Sequence, residues 1–256
     1  MTVPVRMAVG DGVARVTLAA PGRCNALTAE LLDALNDTLD RAAAEAPRAL
    51  VLAAEGRHFS TGGDVARFAA EVAAGRGEAY ARRTLGGLNA AMLRLMRMPC
   101  PVIACAQGAV TGGALGLLLA ADLAVLGAGG FVQPYYAEVG FAPDGGWTAL
   151  LPGRIGPARA LEIQILNRRI DAGEAAALGI VQAVAVAPEA QVEVWLDTLS
   201  RHVPGTLADT KRLIRDTEAT ERALAAELDA FTARIGTVEA RDGMARFLAG
   251  LKEARR

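Results

Sequence analysis

A chain of 256 residues with 27 Lys and Arg against 28 Asp and Glu carries a formal charge of -1, which gives no general basis for binding nucleic acid or an anionic membrane. It is long enough to bury a large core, and with 52% hydrophobic but only 4% aromatic residues that core is aliphatic, rich in Ala and Gly. Cys24, Cys100 and Cys105 show neither metal-ligand spacing nor an even disulfide framework, so a reducing, cytoplasmic setting is expected, and the opening MTVPVRMAVGDG has no secretion-signal pattern.

In chain order, residues 3–9 and 13–19 have strand character around Gly10-Asp11-Gly12, a hairpin signal. After Pro21-Gly22, Thr28 is placed to cap a helix with Leu31, Leu32, Leu35 and Leu39 on one face, ended by Pro47. Residues 48–54 read as a buried strand, followed by a glycine turn at Gly62-Gly63 and a helix that Asp64 can cap. Leu85, Leu88, Met92, Leu95 and Met96 give helical spacing between about Gly77 and Met98. The apolar run 101–106 reads as a central strand, and Gly112-Gly113 then opens a buried helix that stops at Asp122. That apolar stretch is broken by Asp122 and has no charged flanks, so a core helix is expected rather than a membrane span. Residues 122–126 form a further strand, Pro143-Asp144-Gly145-Gly146 a turn, and helical stretches run on to about Leu178. A last strand covers 180–186, and helices follow from Pro188, with breaks at Pro204-Gly205, near Thr220 and at Gly236. Alternating strands and helices followed by helices alone define an α/β core, residues 1–200, with a helical C-terminal region, residues 201–256.

The chemistry suggested by these residues centres on the glycines. A Gly-Gly turn leading into a helix leaves peptide N–H groups without internal partners. If Gly62-Gly63 and Gly112-Gly113 converge, two such donors could hold one developing oxyanion, each worth about 3 kcal/mol. No Gly-x-Ser-x-Gly elbow, HExxH or Cys/His cluster is present, so metal chemistry is not expected. His58 and His202 are isolated in sequence. That leaves carboxylates and tyrosines as proton carriers: Asp144 in its glycine-rich turn, with Glu138, Tyr135 and Tyr136 nearby.

HFSTGGDV followed about fifty residues later by QGAVTGGALGLLLAADLAV resembles the crotonase, or enoyl-CoA hydratase/isomerase, superfamily. PGRCNAL, FVQPYYAEVGFAPDGGWTALLPGRIG, AAALGIVQAV and RFLAGLKEARR are similar to further motifs of that family, in order and at similar spacing through most of the chain. The resemblance implies a core of repeated ββα units with a helical trimerisation region. It also implies an acyl-CoA thioester substrate, no cofactor beyond that substrate's coenzyme A, and a homotrimer or dimer of trimers. The oxyanion donors carried over by position are the N–H groups of Gly63 and Gly113. The backbone at Asn25, Ala26 and Leu27 would hold the adenine end, with Arg23 and Lys252 as phosphate partners.

Hydratases of the family carry one catalytic Glu three residues after the second oxyanion glycine and another four residues before the glycine that precedes the proline-containing turn. Here those positions hold Gly116 and Tyr136, the latter placed in a segment one residue longer than usual. Asp144 lies where isomerases of the family carry a catalytic Asp, so the expected activity is isomerisation of an enoyl-CoA with Asp144 as acid and base and Tyr136 in the substrate site. The alternatives are hydration with Glu138 as a displaced acid, covalent chemistry on Asp144, and acyl-CoA binding without turnover.

Overall fold

Chain reversal at Asp11-Gly12, both residues at positive φ (51° and 73°), joins β1 (Val5–Gly10) and β2 (Val13–Leu18) in an antiparallel hairpin, as an Asp-Gly pair at such a turn favours. The computed structural model describes residues 3–253; the last three residues of the C-terminal motif, 254–256, lie outside it. Helix α1 (Ala29–Ala44) crosses back from β2, capped by the Thr28 hydroxyl, which accepts from the Leu31 N–H, and it buries Leu31, Leu32, Leu35 and Leu39. The crossover sets β3 (Ala49–Ala54) parallel to β2. Next come α2 (Val65–Ala73), capped by Asp64, and α3 (Gly77–Arg97). Then follow β4 (Val102–Ala106), β5 (Ala109–Thr111), α4 (Ala114–Ala120), β6 (Leu123–Gly127), β7 (Phe131–Gln133) and α5 (Tyr136–Val139). The remainder is α6 (Leu151–Ile155), α7 (Pro157–Ile165), β8 (Ile170–Asp171), α8 (Ala172–Ala177), β9 (Ala183–Ala185), α9 (Pro188–Ser200), α10 (Pro204–Ile214), α11 (Thr217–Ile235) and α12 (Val238–Glu253).

The strands of five or six residues, with the three-residue β9 at one edge, form a six-stranded sheet ordered β1-β2-β3-β4-β6-β9, parallel beyond the first hairpin. A second, three-stranded sheet, β5-β7-β8, is extended by single bridges from Ser60 to Val110 and from Leu27 to Gly63. A long strand, a short strand of the second layer and a helix therefore recur: β3, residues 60–63 and α2; β4, β5 and α4; β6, β7 and α5. These are the expected repeated ββα units. An aliphatic core that includes Leu18, Leu50, Val102, Leu115 and Leu118 is fully enclosed, and α9 covers part of the sheet with Val192 and Leu196.

Three local expectations change. The glycine turn at 112–113 follows the short strand β5 rather than β4 directly; a three-residue strand is too short to show alternation in sequence. The helical stretch expected up to Leu178 is broken at Gly156 (φ 83°) and by β8, and the break expected near Thr220 falls at residues 215–216, where Asp216 caps α11 by accepting from Ala219. Among the described residues no helix is long and apolar enough to cross a membrane; α4 is seven residues long and entirely buried.

Candidate active site

The two glycine turns meet. Ser60 N–H donates to the Ala109 carbonyl and its own carbonyl accepts from Thr111, each at 3.2 Å, which lays residues 60–63 beside β5. The Ser60 hydroxyl donates to the Asn25 carbonyl at 2.7 Å and accepts from Gly62 N–H at 3.2 Å, closing the turn. Gly62 sits at φ 77°, where a β-carbon would lie 2.5 Å from the Thr111 carbonyl oxygen and 3.5 Å from the Gly112 α-carbon. Only glycine satisfies both the dihedral and the contact. Gly112 donates its N–H to Gln133, but the N–H groups of Gly63 and Gly113 have no acceptor among the described residues. One stands just before α2, the other at the head of α4.

Asp144 stands against Gly113. A β-carbon on Gly113 would lie 2.9 Å from Asp144 Oδ1, and the Gly145 backbone touches that of Gly113. The carboxyl group is buried, with 7% of the residue exposed. Tyr136 donates its hydroxyl to Asp144 Oδ1 at 2.5 Å and lies 3.1 Å from the Asp144 carbonyl oxygen. Trp147 Nε1–H donates to the Gly112 carbonyl at 2.7 Å, tying the aspartate turn to the glycine turn. Burial pushes the Asp144 carboxyl up to about 7; the Tyr136 hydrogen bond pulls it down, and the nearby Glu227 charge pushes it up again. The Tyr136 phenol is raised well above its ordinary value, first by burial and then by the Asp144 charge. Beside Tyr136 and Trp147 lies a cavity of about 490 Å³ with no charged residue in its lining, walled also by Phe141 and Pro143 and rimmed by Leu161 and Ile165.

The other expected site residues are distributed unevenly. Tyr136 is brought to Asp144. Leu27 donates its N–H to the Gly62 carbonyl and so positions the first glycine turn, and Ala26 lies in the adjoining bend. The Asn25 side chain is committed to the protein itself: it accepts from Ala20 and donates to the Glu55 and His58 carbonyls. Arg23 is exposed and paired with Asp64 at 2.6 Å, and Lys252 is exposed near the end of α12. Glu138 accepts from the Asn167 amide and is not part of the buried group around Asp144. His58 Nδ1 accepts from Ala109 N–H, a structural bond, and His202 is exposed. At Gly116 a β-carbon would collide with the Met92 sulfur and the Gly145 carbonyl, so this backbone has no room for a carboxylate there.

Sequence reasoning missed Glu227. It is buried, and its carboxylate binds the turn that follows Asp144. A signal was present: Thr220, Leu224, Glu227, Phe231 and Ile235 are all buried on one face of α11, so a carboxylate interrupts an apolar stripe at helical spacing. Among the described residues, no three His, Cys, Asp or Glu side chains come together as a metal site would need.

Gly63 and Gly113, each with an unpartnered N–H, stand on stacked ββα turns that meet, and a buried carboxyl group lies against Gly113, an arrangement that could hold an oxyanion with a proton carrier next to it. The sequence profile described as enoyl-CoA hydratase/isomerase matches residues 8–254, and the chain belongs to that family. It is 34% identical over 177 residues to the "Probable enoyl-CoA hydratase" of Rhodobacter capsulatus, covering 69% of this chain and 66% of that protein. It is 27% identical over 215 residues to human enoyl-CoA delta isomerase 2, covering 81% of this chain and 53% of that protein. The fold matches the crystal structure of an enoyl-CoA hydratase from Bacillus halodurans with a TM-score of 0.90 at 22% identity, over 95% of this chain and 99% of that one.

Proposed function

We propose that the protein is an enoyl-CoA isomerase. The observation that carries this reading is the buried carboxyl group of Asp144, set against Gly113 while the space at Gly116 is closed to a second; the other buried carboxylate nearby, Glu227, is taken up by the N–H groups of residues 146, 148 and 149. Hydration needs one group to activate water and another to protonate carbon, whereas a 1,3-proton shift needs a single base that returns what it took. The thioester oxygen of a 3-enoyl-CoA is held by the N–H groups of Gly63 and Gly113. Asp144 removes a proton from C2, the electron pair moves into a dienolate whose negative oxygen those donors stabilise, and the protonated Asp144 delivers the proton to C4. The product is the 2-enoyl-CoA at unchanged mass. An Asp144 carboxyl near neutrality suits both halves of this cycle. The acyl chain is assigned to the uncharged cavity beside Tyr136 and Trp147. The CoA phosphates are assigned to Arg23, which would exchange its Asp64 partner for phosphate, and to Lys252 of a neighbouring copy. The reaction needs no cofactor beyond the coenzyme A that the substrate carries.

The test is purified protein with trans-3-hexenoyl-CoA, followed by absorbance of the conjugated product and by mass. Conversion without mass change is expected, with kcat/KM rising with pH through about 7 as Asp144 ionises, and Asp144→Asn is expected to lose on the order of 10²–10⁴-fold. Full activity in Asp144→Asn, or gain of water on crotonyl-CoA, would overturn the reading.

A further inference from the structure

Glu227 lies on α11, 83 positions beyond Asp144 in sequence, yet its buried carboxylate reaches the turn that carries Asp144. Oε2 accepts from Gly146 N–H at 2.9 Å. Oε1 accepts from Thr148 N–H at 2.8 Å, from the Thr148 hydroxyl at 2.6 Å and from Ala149 N–H at 2.8 Å. Gly145 and Gly146 both adopt positive φ (59° and 80°), so the chain turns sharply here and leaves successive N–H groups facing inward, an arrangement that binds anions. A buried carboxylate is costly unless such donors satisfy it, and Glu227 has only 5% of its surface exposed. A neutral amide in its place could not accept from all of these donors equally, because one end of it donates.

We propose that Glu227 is the positioning residue of this site: its carboxylate clamps residues 146–149, so setting Asp144 against Gly113, and its negative charge stands behind the Asp144 carboxyl. The ionisable groups facing Asp144 are Tyr136 from α5 and Glu227 from α11. From α3 and the head of α4 its neighbourhood at Gly113 receives Leu88 and backbone. Tyr136 stabilises the carboxylate by donating to it, while Glu227 opposes ionisation. The two act in opposite directions on one proton. The C-terminal helical region thereby takes part in the site itself.

The proposal rests on Asp144 being the acid and base, and the experiment separates the two. Asp144 is followed by carbon NMR of protein labelled at aspartate carboxyls, its signal assigned by loss in Asp144→Asn, alongside the pH dependence of 3-hexenoyl-CoA isomerisation. In Glu227→Gln the Asp144 titration and the acid limb of kcat/KM are expected to move to lower pH by about one unit, with kcat lowered at least tenfold and KM little changed. Thr148→Val removes one bond to Glu227 and keeps the charge; it is expected to lower kcat several-fold with the titration midpoint unmoved. A Glu227→Gln titration superposing on wild type, or equal shifts in both variants, would overturn the electrostatic role. If Glu227→Gln does not fold, an unchanged kcat in Thr148→Val would overturn the clamp. If Asp144→Asn stays active while the Glu227→Gln titration shifts as expected, the isomerase reading fails and the positioning of Asp144 stands.

Discussion

At the scale of single residues, the site is expensive to ionise. Asp144 has a folded-state value near 7 against an ordinary 3.8, so between those values the folded chain holds a proton that the unfolded chain has lost. Folding stability therefore falls as pH rises from about 4 to about 7 and levels off above, a loss of roughly 4 kcal/mol for this one group. Asp144→Asn keeps the shape and an acceptor for Tyr136 but cannot ionise. Its unfolding midpoint, followed by circular dichroism in urea, is expected to exceed that of wild type at pH 8 and to converge on it near pH 4. A constant difference across that range would mean the carboxyl group titrates normally. The asymmetry between the two glycine pairs has the same origin in close contact. Gly62 is dictated by its dihedral and by Thr111, Gly113 by Asp144 and Leu88, and Gly116 by Met92 and Gly145.

At the scale of elements, α11 does more than the sequence assigns to a helical tail. It packs along α3 and supplies Leu224 to the main core and Phe231 and Ile235 to the aromatic cluster with Phe68 and Phe141. Its Glu227 satisfies the N–H groups of residues 146, 148 and 149. A chain ending at Arg215 would expose those apolar surfaces and leave buried donors unpaired, at about 1–3 kcal/mol for each donor. It is expected to lack a cooperative thermal transition and to aggregate on purification. A truncated chain that melts cooperatively near the full-length temperature would show the tail to be a dispensable appendage. The short elements β5, β7 and β8 have the opposite character: of two or three residues each, they are held by neighbours in the second layer rather than by their own sequence.

At the scale of the whole molecule, large apolar side chains remain on the outside. Leu161, Ile165 and Leu166 on and just after α7 and Leu213 and Ile214 on α10 are between 60% and 78% exposed. Exposed apolar groups clustered in this way mark association surfaces, and α10 buries no residue of its own. A homotrimer or dimer of trimers is expected, with a sedimentation-equilibrium mass about three or six times that of the 26.5 kDa chain. Replacing Leu213 and Ile214 together by Ser should shift that mass downward if α10 lies in the interface, with the Asp144 site left folded. A monomeric wild-type chain at micromolar concentration would sink the trimer.

By itself the sequence determined what depends on local geometry. An Asp-Gly pair turned the first hairpin, Thr28 and a leucine stripe made α1, and Gly-Gly pairs prepared two free N–H groups, because capping, periodicity and positive φ are properties of a few adjacent residues. Asp144 was legible as a carboxylate in a glycine-rich turn. Only the tertiary structure decided that turns fifty residues apart touch, that Tyr136 reaches Asp144, and that Asn25 is committed to the backbone around it. It also decided that a carboxylate 83 positions beyond Asp144 holds the turn in place. Those contacts depend on how the two sheets stack and on where α11 docks, and no local propensity encodes either. The same packing, by excluding water from Asp144, turns an ordinary aspartate into a group poised to exchange its proton near neutral pH.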